Sequence, residues 1–213
     1  MAKQPPLTHA VLTGDLIGSI KAGPLATDFE MIQLAHIAEV IGQWTGMEPT
    51  RFTRYRGDGW QIVLNRPQMA LRAALSLIAG LAASDGKLAA RIAIGIGSVT
   101  SLGSTNLSDA AGQAFARSGQ SLDAATGDQR LVLASPDLHP LQQAVIALLG
   151  ERSGQWTSAQ AGALLLALDP TRPTLSQMSQ HIGITLQSVS YRLRGAGWPA
   201  IRETLDLWEA MTP

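Results

Sequence analysis

Apolar residues recur in two rhythms through the first part of this chain and in only one through the rest. His9 to Thr13 is a short apolar run that predicts a buried first strand, closed by Gly14-Asp15. A loop holding Gly18, Gly23 and Pro24 leads into a segment where Leu34, Ile37, Ala38 and Ile41 return at helical spacing, until Gly46 and Pro49 break it. Arg51–Arg56 and Trp60–Leu64 read as two short strands around Gly57-Asp58-Gly59, since Asp-Gly between β-prone runs is a strong hairpin signal. Pro67 suits the first turn of a second helix, with Leu71, Ala74, Leu75, Ile78 and Ala82 on one face and Asp85-Gly86 at its end. Ile92, Ile94 and Ile96 alternate within Arg91–Val99, a strand at period two. Ser108 is placed to cap a helix running toward Leu122, and Arg130–Ala134 is a last short strand.

The predicted order is β-α-β-β-α-β with an α-β extension, the split β-α-β arrangement of ferredoxin-like and palm folds. From Leu138 onward the pattern is all-helical, punctuated by Pro136, Pro140, Pro170 and Pro173. The expected fold class is therefore α/β (α+β) over residues 1–136, followed by a helical region over 137–213.

That order puts two carboxylates together. In a split β-α-β unit the first and second strands run parallel, with the third antiparallel between them. The end of the first strand and the second-third hairpin then share one edge of the sheet. Asp15 follows the first strand and Asp58 sits in the hairpin, so the two should face each other. Such a pair can share Mg²⁺ or Mn²⁺, which proteins bind with one or two carboxylates plus the phosphates of a substrate. The ion would polarise a phosphoryl oxygen, and Gly14 and Gly57 would let the backbone approach the phosphates. Each Gly-Asp alone is also ordinary turn chemistry; the coincidence of both at equivalent ends is what points to a shared anionic site.

The tail carries a second candidate. Leu175, Met178 and Ile182 form one helical face, Gly183 supplies a turn, and Leu186, Val189 and Leu193 form the face of the next helix. Ser179, Gly183 and Val189 have the spacing of a helix-turn-helix over about residues 174–194. Thr185 can cap the second helix, whose outward side offers Gln187, Ser188, Tyr191, Arg192 and Arg194. Residues near the start of a recognition helix reach base edges and later cations reach phosphates. Gln187 and Ser188 would read, and Tyr191, Arg192 and Arg194 would clamp. The alternative is a plain helical hairpin packed against the first domain.

Composition narrows the field. The 213 residues are 46% apolar and 15% charged, with zero formal net charge, which describes a folded chain and argues against a general polyanion binder. DNA contact by a small patch survives that test and would need a homodimer. The absence of cysteine excludes disulfides, thiolate metal sites and cysteine nucleophiles. No apolar run approaches the roughly 18 residues of a membrane span, and none follows Met1–Pro6 that would make a signal peptide. A cytoplasmic protein without membrane contact is expected. His9, His36, His139 and His181 lack ligand spacing, and the tryptophans read as packing anchors.

Gly14-Asp15-Leu16-Ile17-Gly18-Ser19, the hairpin Arg56-Gly57-Asp58-Gly59-Trp60-Gln61 and the strand Arg91-Ile92-Ala93-Ile94-Gly95-Ile96-Gly97 resemble the core of nucleotidyl cyclase domains. They resemble still more the SatD-like family, which pairs such motifs with a C-terminal helix-turn-helix. The resemblance covers nearly the whole chain. It implies metal-binding positions at Asp15 and Asp58, aided by the Leu16 carbonyl, with Gly14, Gly18, Ser19 and Gly57 around a nucleoside triphosphate. Active cyclases also place an Asn and an Arg on a later helix; here Ala116 and Gln120 fall at those positions, with Arg117 adjacent but on another face. Losing preorganised charge stabilisation costs orders of magnitude in rate. The expectation is a DNA-binding regulator whose cyclase-like domain binds a metal-nucleotide or mediates dimerisation. A metal-dependent nucleotidyl cyclase, or a related enzyme acting through Asp15 and Asp58, is the alternative. A third reading is a scaffold in which both sites are degenerate.

Overall fold

A computed structural model describes residues 8–55, 57–84 and 88–211. It is a mixed α/β structure. The strands are β1 (Thr8–Ile17), β2 (Thr53–Tyr55), β3 (Gly59–Leu64), β4 (Ala89–Ser101), β5 (Ala111–Gly112) and β6 (Leu131–Ala134). The helices are α1 (Ser19–Ala22), α2 (Pro24–Gly42), α3 (Ala70–Ala83), α4 (Gln113–Ala124), α5 (Pro140–Ser153), α6 (Ser158–Ala167), α7 (Leu175–Ile182), α8 (Leu186–Ala196) and α9 (Trp198–Met211).

The sheet runs β2-β3-β1-β4, antiparallel throughout, with β5 on the end of β4 and β6 parallel to β4. β3 thus lies between β1 and β2, antiparallel to both. β1 is longer than its apolar run suggested. Gly14 and Asp15 do not close the strand; they lie inside it, paired with Ile92 and Arg91 of β4, and pairing continues to Ile17. A partner strand of 13 residues supplies the ladder bonds that local turn chemistry competes with.

The two faces of β1 bury different cores. Ala10, Leu12 and Leu16 join Leu34, Ile37, Ala38 and Ile41 of α2 and the residues of α3 in the main cluster. Val11, from the opposite face, packs with Val63, Leu107, Ala114 and Phe115 beneath α4. α4 starts later than expected. Ser108 falls in a short 3₁₀ turn, Leu107–Asp109, capped by Asn106, and α4 begins after Gly112 without a side-chain cap. Its close seat on the sheet explains two glycines of β4: a Cβ on Gly95 would stand 2.3 Å from the Ala114 carbonyl oxygen, and one on Gly97 3.2 Å from the Ala114 nitrogen.

α3 departs most from a one-faced helix. Every residue from Ala70 to Leu81 is buried, while Ala82 is only partly so. A helix whose only polar side chains are Arg72 and Ser76 is covered nearly all round, and here the cover has two sources. One side meets the sheet and α2; the other meets α6 and α9. The main cluster accordingly continues through Ile146 and Leu149 of α5 and Leu164 of α6 to Ile201, Leu205 and Trp208 of α9. Among the described residues no helix is long and apolar enough to cross a membrane. The Asp85-Gly86 stop lies outside the described residues.

Candidate functional site

The C-terminal end of β1 and the β2–β3 hairpin meet at one edge of the sheet, and the chemistry gathers there. Gly14 pairs with Trp60, so Asp15 lies one residue past that pair, beside the turn that carries Asp58. The negative charge of Asp58 is felt at Asp15. Burial pushes the Asp15 carboxyl above its ordinary value, Arg91 opposes this, and the Asp58 charge adds to it. Arg91 stands opposite Asp15 in the β1–β4 register, while its Nε donates to the Gln129 carbonyl at 3.2 Å. Both carboxylates are half-buried.

Ser19 completes the group. Gly18 takes a left-handed conformation, φ 86°, which L side chains rarely adopt, and this turns the chain into α1 so that Ser19 is buried. The Ser19 hydroxyl donates a close hydrogen bond to Asp58 Oδ2. Gly57 is also left-handed at φ 80°, with open space around it, and Arg54 Nε braces it by donating to its carbonyl at 2.5 Å. The Arg54 guanidinium also pairs with Asp28 of α2 at 2.7 Å. The turn that aims Asp58 is therefore held from two sides.

Gly14 has a different use from the one expected of it. It is buried, and a Cβ there would stand 2.4 Å from Trp60 Cζ2 and 2.8 Å from the Arg91 carbonyl oxygen. The space above Gly14 belongs to the indole, which stacks on Phe52 at 6.2 Å between ring centres. Beneath the carboxylates runs a polar chain that sequence reasoning missed. Gln61 Nε2 donates to Thr13 Oγ1 at 3.0 Å, and that hydroxyl lies 2.7 Å from the Ser118 hydroxyl of α4. Only the register, which sets Thr13 opposite Gln61, brings these residues together.

As a donor set, the carboxylates of Asp15 and Asp58 suit a hard divalent cation that keeps most of its waters. A cation between them would also offset the like-charge repulsion that raises Asp15. Among the described residues no group of three or more His, Asp or Glu side chains that could hold a metal ion converges. α4 adds no cation here. Ser118 and Ala114 face the sheet, so Ala116 and Gln120, about 200° round the helix from Ser118, lie on its exposed side. Arg117 donates to the Ile96 carbonyl at 2.7 Å.

The tail forms two short helices around a left-handed turn. Thr174 caps α7 in a reciprocal box with Gln177; Gly183, φ 75°, ends it. The Ser179 hydroxyl donates to the Ile184 carbonyl at 2.5 Å and pins the turn. Thr185 caps α8, accepting from the Ser188 nitrogen at 3.2 Å. Met178, Val189 and Leu193 pack with Ala163 and Ala167 of α6, a small core that sets α8 across α7. Leu175 and Leu186 sit instead at the helix starts, 41% and 50% exposed, because each is the first residue of its helix and projects past the core. Gln187, Ser188, Tyr191 and Arg194 are exposed, Tyr191 at 80%, and Arg192 is partly buried. The Ser188 hydroxyl lies 2.9 Å from that of Thr185 and so belongs to the cap as well as to the outer face.

No family model matches the chain, and no curated protein matches it.

Proposed function

We propose that this chain is a DNA-binding regulator, with α7 and α8 as a helix-turn-helix and the α/β part as a cyclase-like domain of SatD-like type. The observation that carries the reading is the free outer face of α8. Its first turn presents Gln187 and its later turns Tyr191 and Arg194, over a helix held by Gly183 and the Thr185 cap. That is the polarity of a recognition helix, with base-reading groups before phosphate-binding ones. A single module of this size makes few phosphate contacts, so the reading requires two copies. Ile20, Leu25, Phe29 and Ile32 support such pairing: on α1 and the outer face of α2 they leave an apolar stripe in water. The strand order β2-β3-β1-β4, with Asp15 and Asp58 at one edge, supports the palm-type reading of the sheet.

The test is a mobility shift with promoter fragments of the host over a series of salt concentrations. Binding that weakens steeply with salt and is lost in a Gln187→Ala, Arg194→Ala variant supports the reading. Absence of any retarded fragment at low salt refutes it.

A second reading, an enzyme acting on nucleoside triphosphates, is favoured by the carboxylate pair itself. Asp15 and Asp58 would hold Mg²⁺ or Mn²⁺, the Leu16 carbonyl would assist, and Ser19 would fix the rotamer of Asp58. The bound ion would polarise a phosphoryl oxygen. Because α4 presents Ala116 and Gln120, binding is favoured over turnover. Calorimetry of Mg²⁺ with ATP and GTP against wild type and the Asp15→Asn, Asp58→Asn variant tests the binding. Manganese-dependent triphosphate consumption lost in Asp58→Asn would establish the enzyme.

A further inference from the structure

A cleft of about 510 Å³ lies away from the carboxylates, between α2 and the helix-turn-helix. One wall is α2, contributing His36, Ile37, Val40, Ile41 and then Trp44; the other is α6, the α6–α7 connection and α7, contributing Leu165, Asp169, Gln177 and His181. The volume falls within the range of small-molecule sites, and so does the chemistry, an apolar lining with a few polar groups at the junction of two structural units.

Charge then selects the occupant. Asp169 is the single carboxylate among the described lining residues, and none of them is Lys or Arg. The Asp169 Oδ1 accepts from the backbone nitrogen and hydroxyl of Thr171 at 2.8 and 2.7 Å, which fixes the carboxylate in place. Past Val40 and Trp44 the cleft opens into a second hollow of about 410 Å³, where Arg66 and Glu209 add one charge of each sign. Arg66 is committed to the Thr45 carbonyl at 2.7 Å. A phosphate or carboxylate ligand would find no Lys or Arg among the described lining of the first hollow, only the imidazoles of His36 and His181 at its walls, whereas an N–H donor on an apolar body would find an oriented acceptor in Asp169.

We propose that this cleft binds a small apolar amine, with its ring against Ile37, Ile41, Trp44 and Leu165 and its nitrogen donating to Asp169. Such a ligand bridges α2 to Gln177 and His181 of α7, so binding tightens the seat of α7 on the α/β part. The site is separate from the carboxylate pair and stands whether or not α8 meets DNA.

The probes are 2-phenylethylamine and its anionic counterpart phenylacetate, titrated into the full chain and followed by calorimetry and ligand-observed NMR. The amine binds saturably, one per chain, and phenylacetate at least tenfold more weakly. Val40→Trp, which fills the cleft from a partly exposed position on α2, and Asp169→Asn each weaken the amine at least tenfold. His36→Trp, from another exposed position on the same wall, gives the same loss and replaces Val40→Trp should that variant fail to fold. Non-saturating uptake of the amine, equal affinity for phenylacetate, or undiminished binding in folded cleft-filling variants would each overturn the proposal.

Discussion

Arg72 Nε donates to Glu209 Oε1 at 2.6 Å, joining α3 to α9 through a guanidinium whose side chain is only 3% exposed. The same guanidinium donates to the Leu168 carbonyl at the end of α6, at 3.1 Å. A charge so deeply placed depends on its partner, since losing one member of a buried pair strands the other. Glu209→Ala is expected to lower unfolding free energy by about 1–3 kcal/mol, short of the full cost of a dry pair because Glu209 touches water. Arg72→Met, which removes the charge and keeps the volume, should cost less. Urea denaturation of the two variants checks the order; an unchanged midpoint for Glu209→Ala would show the bridge to be inert.

Asp15 gives a pH signature. Its folded carboxyl holds a proton more tightly than the unfolded one, first through burial and then through Asp58, against the pull of Arg91. The stabilising contribution is therefore complete below the ordinary value of 3.8 and is lost as pH rises through the raised folded value. At neutral pH the ionised group is a liability. Asp15→Asn should melt higher than wild type at neutral pH, with the gap closing as pH falls toward 3.8. Added Mg²⁺ should raise wild type alone. Scanning calorimetry across pH reads both, and a gap that widens in acid would contradict the burial account.

The two glycines beside the carboxylates should respond in opposite order to a loop-flexibility argument. Gly14→Ala drives a methyl into Trp60 and the Arg91 carbonyl and is expected to cost about 2–3 kcal/mol, with a changed near-UV signal from the indole. Gly57→Ala meets no atom within 4 Å and should cost about 1 kcal/mol, for its left-handed backbone alone. Equal costs would mean that Trp60 gives way easily.

On the helix-turn-helix, Arg194→Ala should weaken DNA binding for every sequence alike and lower the salt slope by about one. Gln187→Ala should relax discrimination between sites by about 1–3 kcal/mol at the positions it reads. Gly183→Ala should leave the contacts untouched and cost about 1 kcal/mol of stability. A footprint unaltered by the first two would return α8 to the status of a packing helix.

The sequence was most legible where one face of an element meets one core. Ile92, Ile94 and Ile96 of β4, Leu34, Ile37 and Ile41 of α2, and the cap at Thr185 fall where periodicity and turn chemistry put them. It was least legible where tertiary pairing overrode local signals. Gly14-Asp15 looks like a strand end because Gly and Asp are turn formers, yet β4 runs long enough to hold both in the ladder. Ser108 has cap chemistry, but Asn106 does the capping and of a different turn. Arg91 and the Gln61–Thr13–Ser118 chain needed the register of three strands and the seat of α4 before they could be placed beside Asp15 and Asp58. The continuous burial of α3 was not legible: the pattern offered one apolar face, Leu71, Ala74, Leu75, Ile78 and Ala82, whereas a second layer covers the side that carries Arg72 and Ser76 as well.

That double cover has a consequence during synthesis. α3 leaves the ribosome well before its outer layer exists: roughly 75 residues separate Ala83 from the start of α6, about 4–15 s of translation at roughly 5–20 residues per second. Throughout that interval the nascent chain carries an apolar helical surface that only later-made segments can shield. The span from α3 to α6 is therefore the stretch in which a holdase would be engaged, and in which slow codons would favour aggregation over folding.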